Sequence, residues 1–382
     1  MSDVRRFFAS CALGAEELLR QEIESFRPFT LDVSGRPATA DFRIVTTDQG
    51  GVEFEAAWEV GLALNHWLKL ANRIWLRLAS FPAKSPPRLQ ERLRSLNLKP
   101  YLGDRPFHFN VEAHHCALHN EKQLRRWAAD IWKLDADSPF EVFLRGASDE
   151  WTISLDTSGE HLHKRGNRPH AGVAPLRETH AAFSLRVLLE GEPWAVRRRV
   201  TLLDPMTGAG TFLREARGLE APVTGRDFVF RHFKNTPKIL LSDAYFKNLN
   251  PEWRLEETKS WGDLVGGEID PALAPIHREL IDARVLIGDS FARTMRADWG
   301  IQDDARLWIV LNPPYGERLA GLEWIERLGP WARGLGAEKL LLWCPEKLKS
   351  AVLKAMPWEP AFEQRMSNGG IPCAVMRWNW PV

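Results

Sequence analysis

The residues with the clearest chemistry are Leu311-Asn312-Pro313-Pro314-Tyr315-Gly316, which follow an apolar run that reads as a buried strand. Consecutive prolines stiffen the backbone and remove two N–H donors, leaving carbonyl oxygens free to face a cleft. Asn312 adds a side-chain oxygen. Such acceptors suit an exocyclic amine on adenine or guanine, a poor nucleophile because its lone pair is delocalised into the ring. If the Asn312 side chain and the Pro313 carbonyl take the two amine hydrogens, the nitrogen is drawn toward pyramidal geometry and its lone pair is aimed at an electrophile. Tyr315 offers a ring for a base that has left its stack. The expected catalytic set is therefore Asn312, Pro313, Pro314 and Tyr315, with no metal and no covalent enzyme nucleophile.

An electrophile must come from a cofactor. Strand Thr201-Leu202-Leu203 runs into Asp204-Pro205-Met206-Thr207-Gly208-Ala209-Gly210-Thr211. Glycines after a buried strand let the backbone approach a ligand closely. A P-loop would need a lysine after Gly210, where Thr211 stands, and a dinucleotide loop would need a third glycine at Leu213. The remaining form, D-P-x-x-G-x-G, is that of S-adenosylmethionine enzymes. Asp204, Thr207, Gly208 and Gly210 are thus expected at the cofactor, with Asn312 beside them. Asp289, after the strand Val285–Ile287, suits recognition of the adenine amine. For the ribose hydroxyls there are two candidates, Asp243 after the strand-like Ile239–Ser242 and Glu268 in Val265-Gly266-Gly267-Glu268. Spacing alone favours Asp243.

These loops need a parallel sheet to hold them, and the chain is long enough for two or three domains at 382 residues. From Val200 onward, buried-type strands at Val200–Leu203, Val285–Ile287, Leu307–Leu311 and Leu340–Trp343 alternate with helical or loop segments, an α/β pattern. Before it, residues 1–156 read as an α+β module. Arg6–Cys11 is extended, and Ala15, Leu18, Leu19, Ile23 and Phe26 are spaced as on a helix. A second helical stripe runs from Trp58 through Trp67 and Leu70 to Ile74, Leu76 and Leu78. Asn120 caps a third helix. Strands are expected at Phe107–Val111, Phe140–Leu144 and Trp151–Leu155. Residues 157–176, rich in turn formers and bases, read as a linker.

Composition is that of an ordinary globular chain, 44% hydrophobic and 26% charged, with a net charge of +1. RNA affinity must then come from local patches such as Lys164, Arg165 and Arg168. Arg197-Arg198-Arg199 reads equally as a phosphate contact or a solvated face. No segment reads as a membrane span or a signal peptide, which implies a cytoplasmic protein. The four cysteines are scattered and read as reduced thiols. His114, His115, Cys116 and His119 are crowded, but no second pair stands at zinc-site spacing, so a polar loop is expected rather than a metal site.

The chain also resembles the THUMP-domain RNA methyltransferases of the bacterial large-subunit rRNA guanine-N2 type. The likeness spans Phe8–Cys11, Leu64–Trp67 with Ala71–Arg73, Asp156–Glu160, His163–Gly166, Ala174–Thr179, Asp204–Gly210 and Asn312–Leu319. It implies a ferredoxin-like segment (residues 1–60), a THUMP RNA-binding domain (61–156), a basic linker (157–180) and a Rossmann-like methyltransferase domain (181–382). By the same likeness Pro175 and Thr179 lie close to the S-adenosylmethionine, and Glu268 is preferred over Asp243 for the ribose, with residues 217–262 an insertion. The implied substrate is guanine N2 in structured RNA, 23S rRNA before tRNA, in a chain taken as a monomer. Adenine N6 or tRNA guanine is the nearer alternative, and a non-catalytic RNA-binding or assembly protein the more distant one.

Overall fold

The computed structural model of the chain describes residues 3–25, 43–166, 176–243, 261–280, 282–314 and 323–381. It forms two compact units that are not contiguous in sequence. The first comprises Met1–Cys11, Ala15–Gly166 and Pro222–Asn250, and the second Ala12–Gly14, Asn167–Ala221 and Pro251–Val382.

In the first unit seven strands make one sheet: β1 (Val4–Cys11), β2 (Arg43–Asp48), β3 (Gly51–Ala57), β4 (Ala71–Pro82), β5 (His108–His114), β6 (Glu141–Ala147) and β7 (Glu150–Asp156). Their spatial order is β2-β3-β1-β4-β7-β6-β5. Alternation sets the faces: on β3, Val52, Phe54 and Ala56 are buried while the intervening glutamates are not. The long β4 pairs with both β1 and β7, so the sheet is continuous through residues on both sides of position 60.

The helical stripe expected from Trp58 to Leu78 ends at Trp67, and Ile74, Leu76 and Leu78 belong to β4. The Trp58–Trp67 helix is buried on almost every side, so its apolar pattern carries no mark of where it stops. What stops it is a tight turn whose Lys69 and Leu70 N–H groups both donate to the buried Glu22 carboxylate, at 3.0 Å each. The helix Pro86–Ser95, begun by a proline, was not anticipated.

Thr157 and Ser158, expected in a linker, are instead fully buried. The Asn65 side chain donates to Thr157 Oγ1 (3.0 Å) and accepts from Ser158 Oγ (2.6 Å). Thr157 Oγ1 donates to the Ile74 carbonyl (2.7 Å), and Ser158 Oγ accepts from the Ile74 N–H (2.8 Å). Asp156 accepts from the N–H groups of Ser158 (2.8 Å) and Gly159 (3.1 Å) and pairs with Arg73. Small polar residues look like loop formers in sequence; here they close a dry network instead.

Within the expected insertion (217–262), the described residues 222–243 belong to this first unit, and 217–221 and 261–262 to the second. Phe228, Val229, Phe230 and Phe233 are buried. The His66 ring nitrogen Nδ1 donates to the Val223 carbonyl at 2.6 Å, and Arg226 donates to the carbonyls of Glu160, His161 and Lys164. The strand-like Ile239–Ser242 is a 3-10 turn, Lys238–Leu241.

The second unit carries β8 (Val200–Asp204), β9 (Asp263–Glu268), β10 (Ala283–Ile287), β11 (Arg306–Leu311), β12 (Lys339–Pro345), β13 (Phe362–Asn368) and β14 (Ile371–Asn379) in the order β10-β9-β8-β11-β12-β14-β13. The five strands from β10 to β12 are parallel, and β14 runs antiparallel to both neighbours. The helix Glu178–Leu189 runs opposite to β12, because Lys339 at the start of β12 donates to the Leu188 carbonyl (2.8 Å) while Trp343 donates to Ser184 Oγ (2.7 Å) and stacks on His180. Its N-terminus therefore lies at the C-terminal edge of the sheet. The core includes Leu203, Val265, Trp299, Ile309, Leu311, Leu342 and Trp378.

Asn65→Ala should remove three hydrogen bonds, to the Leu62 carbonyl, Thr157 Oγ1 and Ser158 Oγ, and leave the Ser158 hydroxyl buried without its acceptor. Chemical denaturation of the whole chain should show a loss of about 1–3 kcal/mol, and an unchanged midpoint would refute this account of the network.

Candidate active site

The order in which the parallel strands are laid down switches side between β8 and β11. Strands β8, β9 and β10 succeed one another on one side, and β11 and β12 on the other. Connections then leave in opposite directions, and a crevice opens at the strand C-termini. Every sequence-predicted catalytic or cofactor residue that is described, apart from Asp243, belongs to this edge.

The loop after β8 is held by the ends of its neighbours. Thr207 N–H donates to the Gly267 carbonyl (2.9 Å), and Thr207 Oγ1 to the Asp204 carbonyl (2.7 Å). Gly208 N–H donates to Glu268 Oε2 (2.8 Å), whose Oε1 accepts from Asp270 N–H (2.9 Å). Ser290 Oγ donates to the Pro205 carbonyl (2.6 Å). That approach requires Gly267 on β9, since a Cβ there would stand 2.2 Å from Ser290 Oγ. Gly210 caps the Thr211–Gly218 helix in the left-handed region (φ 82°), and a Cβ on it would meet Leu280 at 2.8 Å.

Asp204 is 1% exposed, and its carboxylate accepts from Met206 N–H at 3.2 Å. Burial, with a smaller contribution from the nearby Glu268 charge, pushes its pKa up to about 8. Asp289 follows β10, caps its own turn by accepting from Phe291 N–H (2.9 Å), and is half exposed. Thr179 lies near the start of the Glu178–Leu189 helix, buried, with a hydroxyl that finds no partner among the described residues.

On the other side of the switch, β11 pairs with β8 with Ile309 opposite Leu203, so Asn312 emerges on the strand adjacent to the glycine loop. Asn312 is half-buried, Pro313 buried and Pro314 exposed. Tyr315, and with it Gly316–Leu319, lies outside the described residues, as do Pro175 and Arg168.

The structure separates the two ribose candidates. Glu268 ends β9, beside the loop. Asp243 belongs to the first unit, where it accepts from Gly225 N–H (2.9 Å) and pairs with Arg231 at 3.0 Å. Arg165 is turned inward onto the carbonyls of Leu162 and Lys69 (2.7 Å each), whereas Lys164 is exposed and bridges Glu160 at 2.8 Å. Arg197 is neither a phosphate contact nor a solvated residue: it is buried and paired with Glu220. The Cys116 thiol donates to the His114 carbonyl and accepts from Asp149 N–H, and among the described residues no group of three candidate ligands could hold a metal. Sequence reasoning missed Ser290 and His277, whose Nε2 donates to the Gly208 carbonyl at 2.8 Å. Neither sits in a recognisable motif.

The residues present fit S-adenosylmethionine. Two buried acids, Asp204 and Glu268, bond to N–H groups of the glycine loop, and the buried hydroxyl of Thr179, which has no partner among the described residues, lies near a helix N-terminus at the same sheet edge.

Residues 165–330 match the family described as the RMKL-like methyltransferase domain. The ribosomal RNA large subunit methyltransferase K/L of Desulfotalea psychrophila is 27% identical over 405 residues, taking in 98% of this chain and 52% of the relative. The chain spans about half the length of such curated relatives. A solved structure described as a possible methylase from Clostridium difficile 630 has a TM-score of 0.76 at 22% identity, covering 100% of this chain and 99% of its own. SMU.472, solved as a complex with S-adenosylhomocysteine (SAH), gives 0.74 at 20% identity, covering 100% of both chains. At these identities the two structures establish the fold alone, which is Rossmann-like in the second unit.

Two outcomes follow. Glu268→Ala should weaken S-adenosylmethionine binding roughly ten- to hundredfold in calorimetry, the scale of a hydrogen bond to a charged group. Asp243→Ala should leave that affinity unchanged, and the opposite pattern would exchange their roles. Asp204 binds its proton more tightly folded than unfolded. Its contribution to stability is complete below the ordinary carboxylate value near 4 and is lost as pH rises through about 8. Asp204→Asn should flatten the pH profile of unfolding over that window, and an unaltered profile would exclude a protonated Asp204.

Proposed function

We propose that this chain, a methyltransferase of the RMKL-like family, methylates the exocyclic N2 amine of guanine in structured RNA, with 23S rRNA as the leading substrate. Its cofactor is S-adenosylmethionine, which supplies the methyl group as a sulfonium. The observation that carries the proposal is the Asn312-Pro313-Pro314 turn leaving β11 next to the glycine loop of β8, across the switch in strand order.

In this reading Asn312 Oδ1 and the Pro313 carbonyl accept the two amine hydrogens and aim the nitrogen lone pair across the crevice. With the cofactor bound, the nitrogen–methyl bond would form as the sulfur–methyl bond breaks, leaving S-adenosylhomocysteine, and the methylated amine would then lose one proton to water. Pro313 and Pro314 keep the turn from rearranging. Tyr315 takes the face of the extruded base. Glu268 holds the ribose hydroxyls, Asp289 the adenine amine, and Asp204, Thr207, Gly208 and Gly210 shape the methionine side, with Pro175 and Thr179 closing it. Guanine is chosen over adenine on the family resemblance, since the amine chemistry is the same for both. The relative from Desulfotalea psychrophila, named as acting on large-subunit ribosomal RNA, supports rRNA.

The first unit, read as a ferredoxin-like segment (1–60) and a THUMP domain (61–156), selects the RNA by shape and backbone contacts. Lys164 and Arg168 remain candidates for phosphate contact. Arg165 is reassigned to structure.

The test is to incubate the intact protein with labelled S-adenosylmethionine and rRNA or tRNA from cells lacking its gene, then digest and identify the modified nucleoside. N2-methylguanosine in large-subunit rRNA is the expected product. N6-methyladenosine, or label confined to tRNA, would replace the substrate, and no label in any RNA would favour a non-catalytic role. Asn312→Ala should lower kcat a hundredfold or more while cofactor affinity stays constant, roughly the cost of losing one positioned acceptor; undiminished turnover would remove Asn312 from the mechanism.

A further inference from the structure

Outside the sequence motifs, one buried side chain touches the cofactor loop from an unexpected side. His277 ends the short helix Ala274–His277 that follows β9, and it is 8% exposed. Its Nε2 stands 2.8 Å from the Gly208 carbonyl oxygen. A carbonyl only accepts, so the ring carries its hydrogen on Nε2. The other nitrogen, Nδ1, is buried and has no partner among the described residues. The N–H of the same glycine donates to Glu268 at 2.8 Å. Gly208 itself has φ 52°, and a Cβ added there would meet nothing within 4 Å, so no side-chain packing braces this residue. Both of its backbone groups are held by side chains of the β9–β10 connection and strand end.

We propose that His277 is a positioning residue for the cofactor, holding the glycine loop by its carbonyl so that Glu268 can exchange its bond to Gly208 N–H for the ribose hydroxyls. A carboxylate oxygen that leaves the loop amide would release Gly208 unless its carbonyl were held, since the other bonds from β9 and the turn after β10 reach Thr207 and Pro205. The His277 bond is on the opposite edge of the Gly208 residue, does not compete for Glu268, and stays in place while the acid turns. This inference rests on the assignment of the β8 loop to S-adenosylmethionine.

The experiment is calorimetric titration of the intact protein with S-adenosylmethionine and with SAH, beside steady-state kinetics and thermal unfolding. His277→Leu keeps the bulk and removes the donor. It should weaken both ligands roughly tenfold, the worth of one net hydrogen bond, and raise the KM for the cofactor while kcat at saturation stays near the wild-type value. His277→Gln, whose amide nitrogen reaches the place of Nε2, should restore affinity. His277→Asn, whose amide reaches only as far as Nδ1, should not. Leucine binding as tightly as histidine, or Gln and Asn behaving alike, would overturn the proposal. So would a fall in kcat without a change in KM. If the wild-type protein bound neither ligand, the cofactor assignment would have failed instead, a distinct result.

Discussion

A backbone that leaves a fully buried strand must find partners for its N–H and C=O groups where water is scarce. At the end of β8 this requirement shapes the whole crevice. All five residues of β8 are buried, and the loop that follows bonds partly within itself, through Asp204 and Thr207, and partly to its neighbours. Partners for it come from the end of β9, the β9–β10 connection and the turn after β10: the Gly267 carbonyl, the Glu268 carboxylate, the His277 ring and the Ser290 hydroxyl. The acid and the loop it serves are therefore one assembly. β9 has to carry glycine at 267 because the neighbouring loops come so near, and the Thr211–Gly218 helix can begin only where Gly210 takes a left-handed turn. On the β11 side two consecutive prolines, Pro313 and Pro314, follow Asn312.

Chemistry was more legible in the sequence than architecture. Asn312, Asp204 and the glycines declare themselves because their types are unusual after buried strands, and the structure gathers them at one sheet edge. Asn120 was readable as a cap because that role is local; its side chain accepts from Gln123 N–H. The end of the Trp58 helix was not readable, since a helix buried all round shows no amphipathic limit and its stop is made by Glu22, far off in the chain. Strands β13 and β14 were also missed; β13 alternates exposed and buried residues without a strong apolar signal. For the ribose, spacing pointed to Asp243. Counting residues assumes a short crossover, and residues 222–243 instead belong to the other unit.

That excursion alters how the chain can be understood as modules. Sequence reading places a boundary near residue 157, yet Thr157 and Ser158 are at the heart of a buried network, and Phe230 N–H donates to the Thr157 carbonyl at 3.1 Å. The His66 ring packs at a tilt against Phe228, centroids 4.4 Å apart, and holds the Val223 carbonyl. Burial holds the His66 pKa down at about 3, so the ring stays neutral and keeps this contact over the ordinary pH range.

A fragment that began near Ser158 would keep the whole β8–β14 sheet but would strip Phe228, Phe230 and Phe233 of the surface that buries them. Each fully buried aromatic of this kind is worth about 1.5–3 kcal/mol, so such a fragment would carry an apolar patch that the intact protein never shows. Loss of RNA binding by it could then reflect aggregation as readily as a missing recognition surface. Division of labour between the two units has to be read in the whole chain, by changing exposed charges one at a time and following the salt dependence of binding, since each phosphate contact removed lowers that slope by about one. Lys164, exposed and, among the described residues, bridged to Glu160, suits such a change. Arg165 and Arg226 do not, because their guanidinium groups hold the backbone together, and their loss would disturb the fold before it touched any RNA.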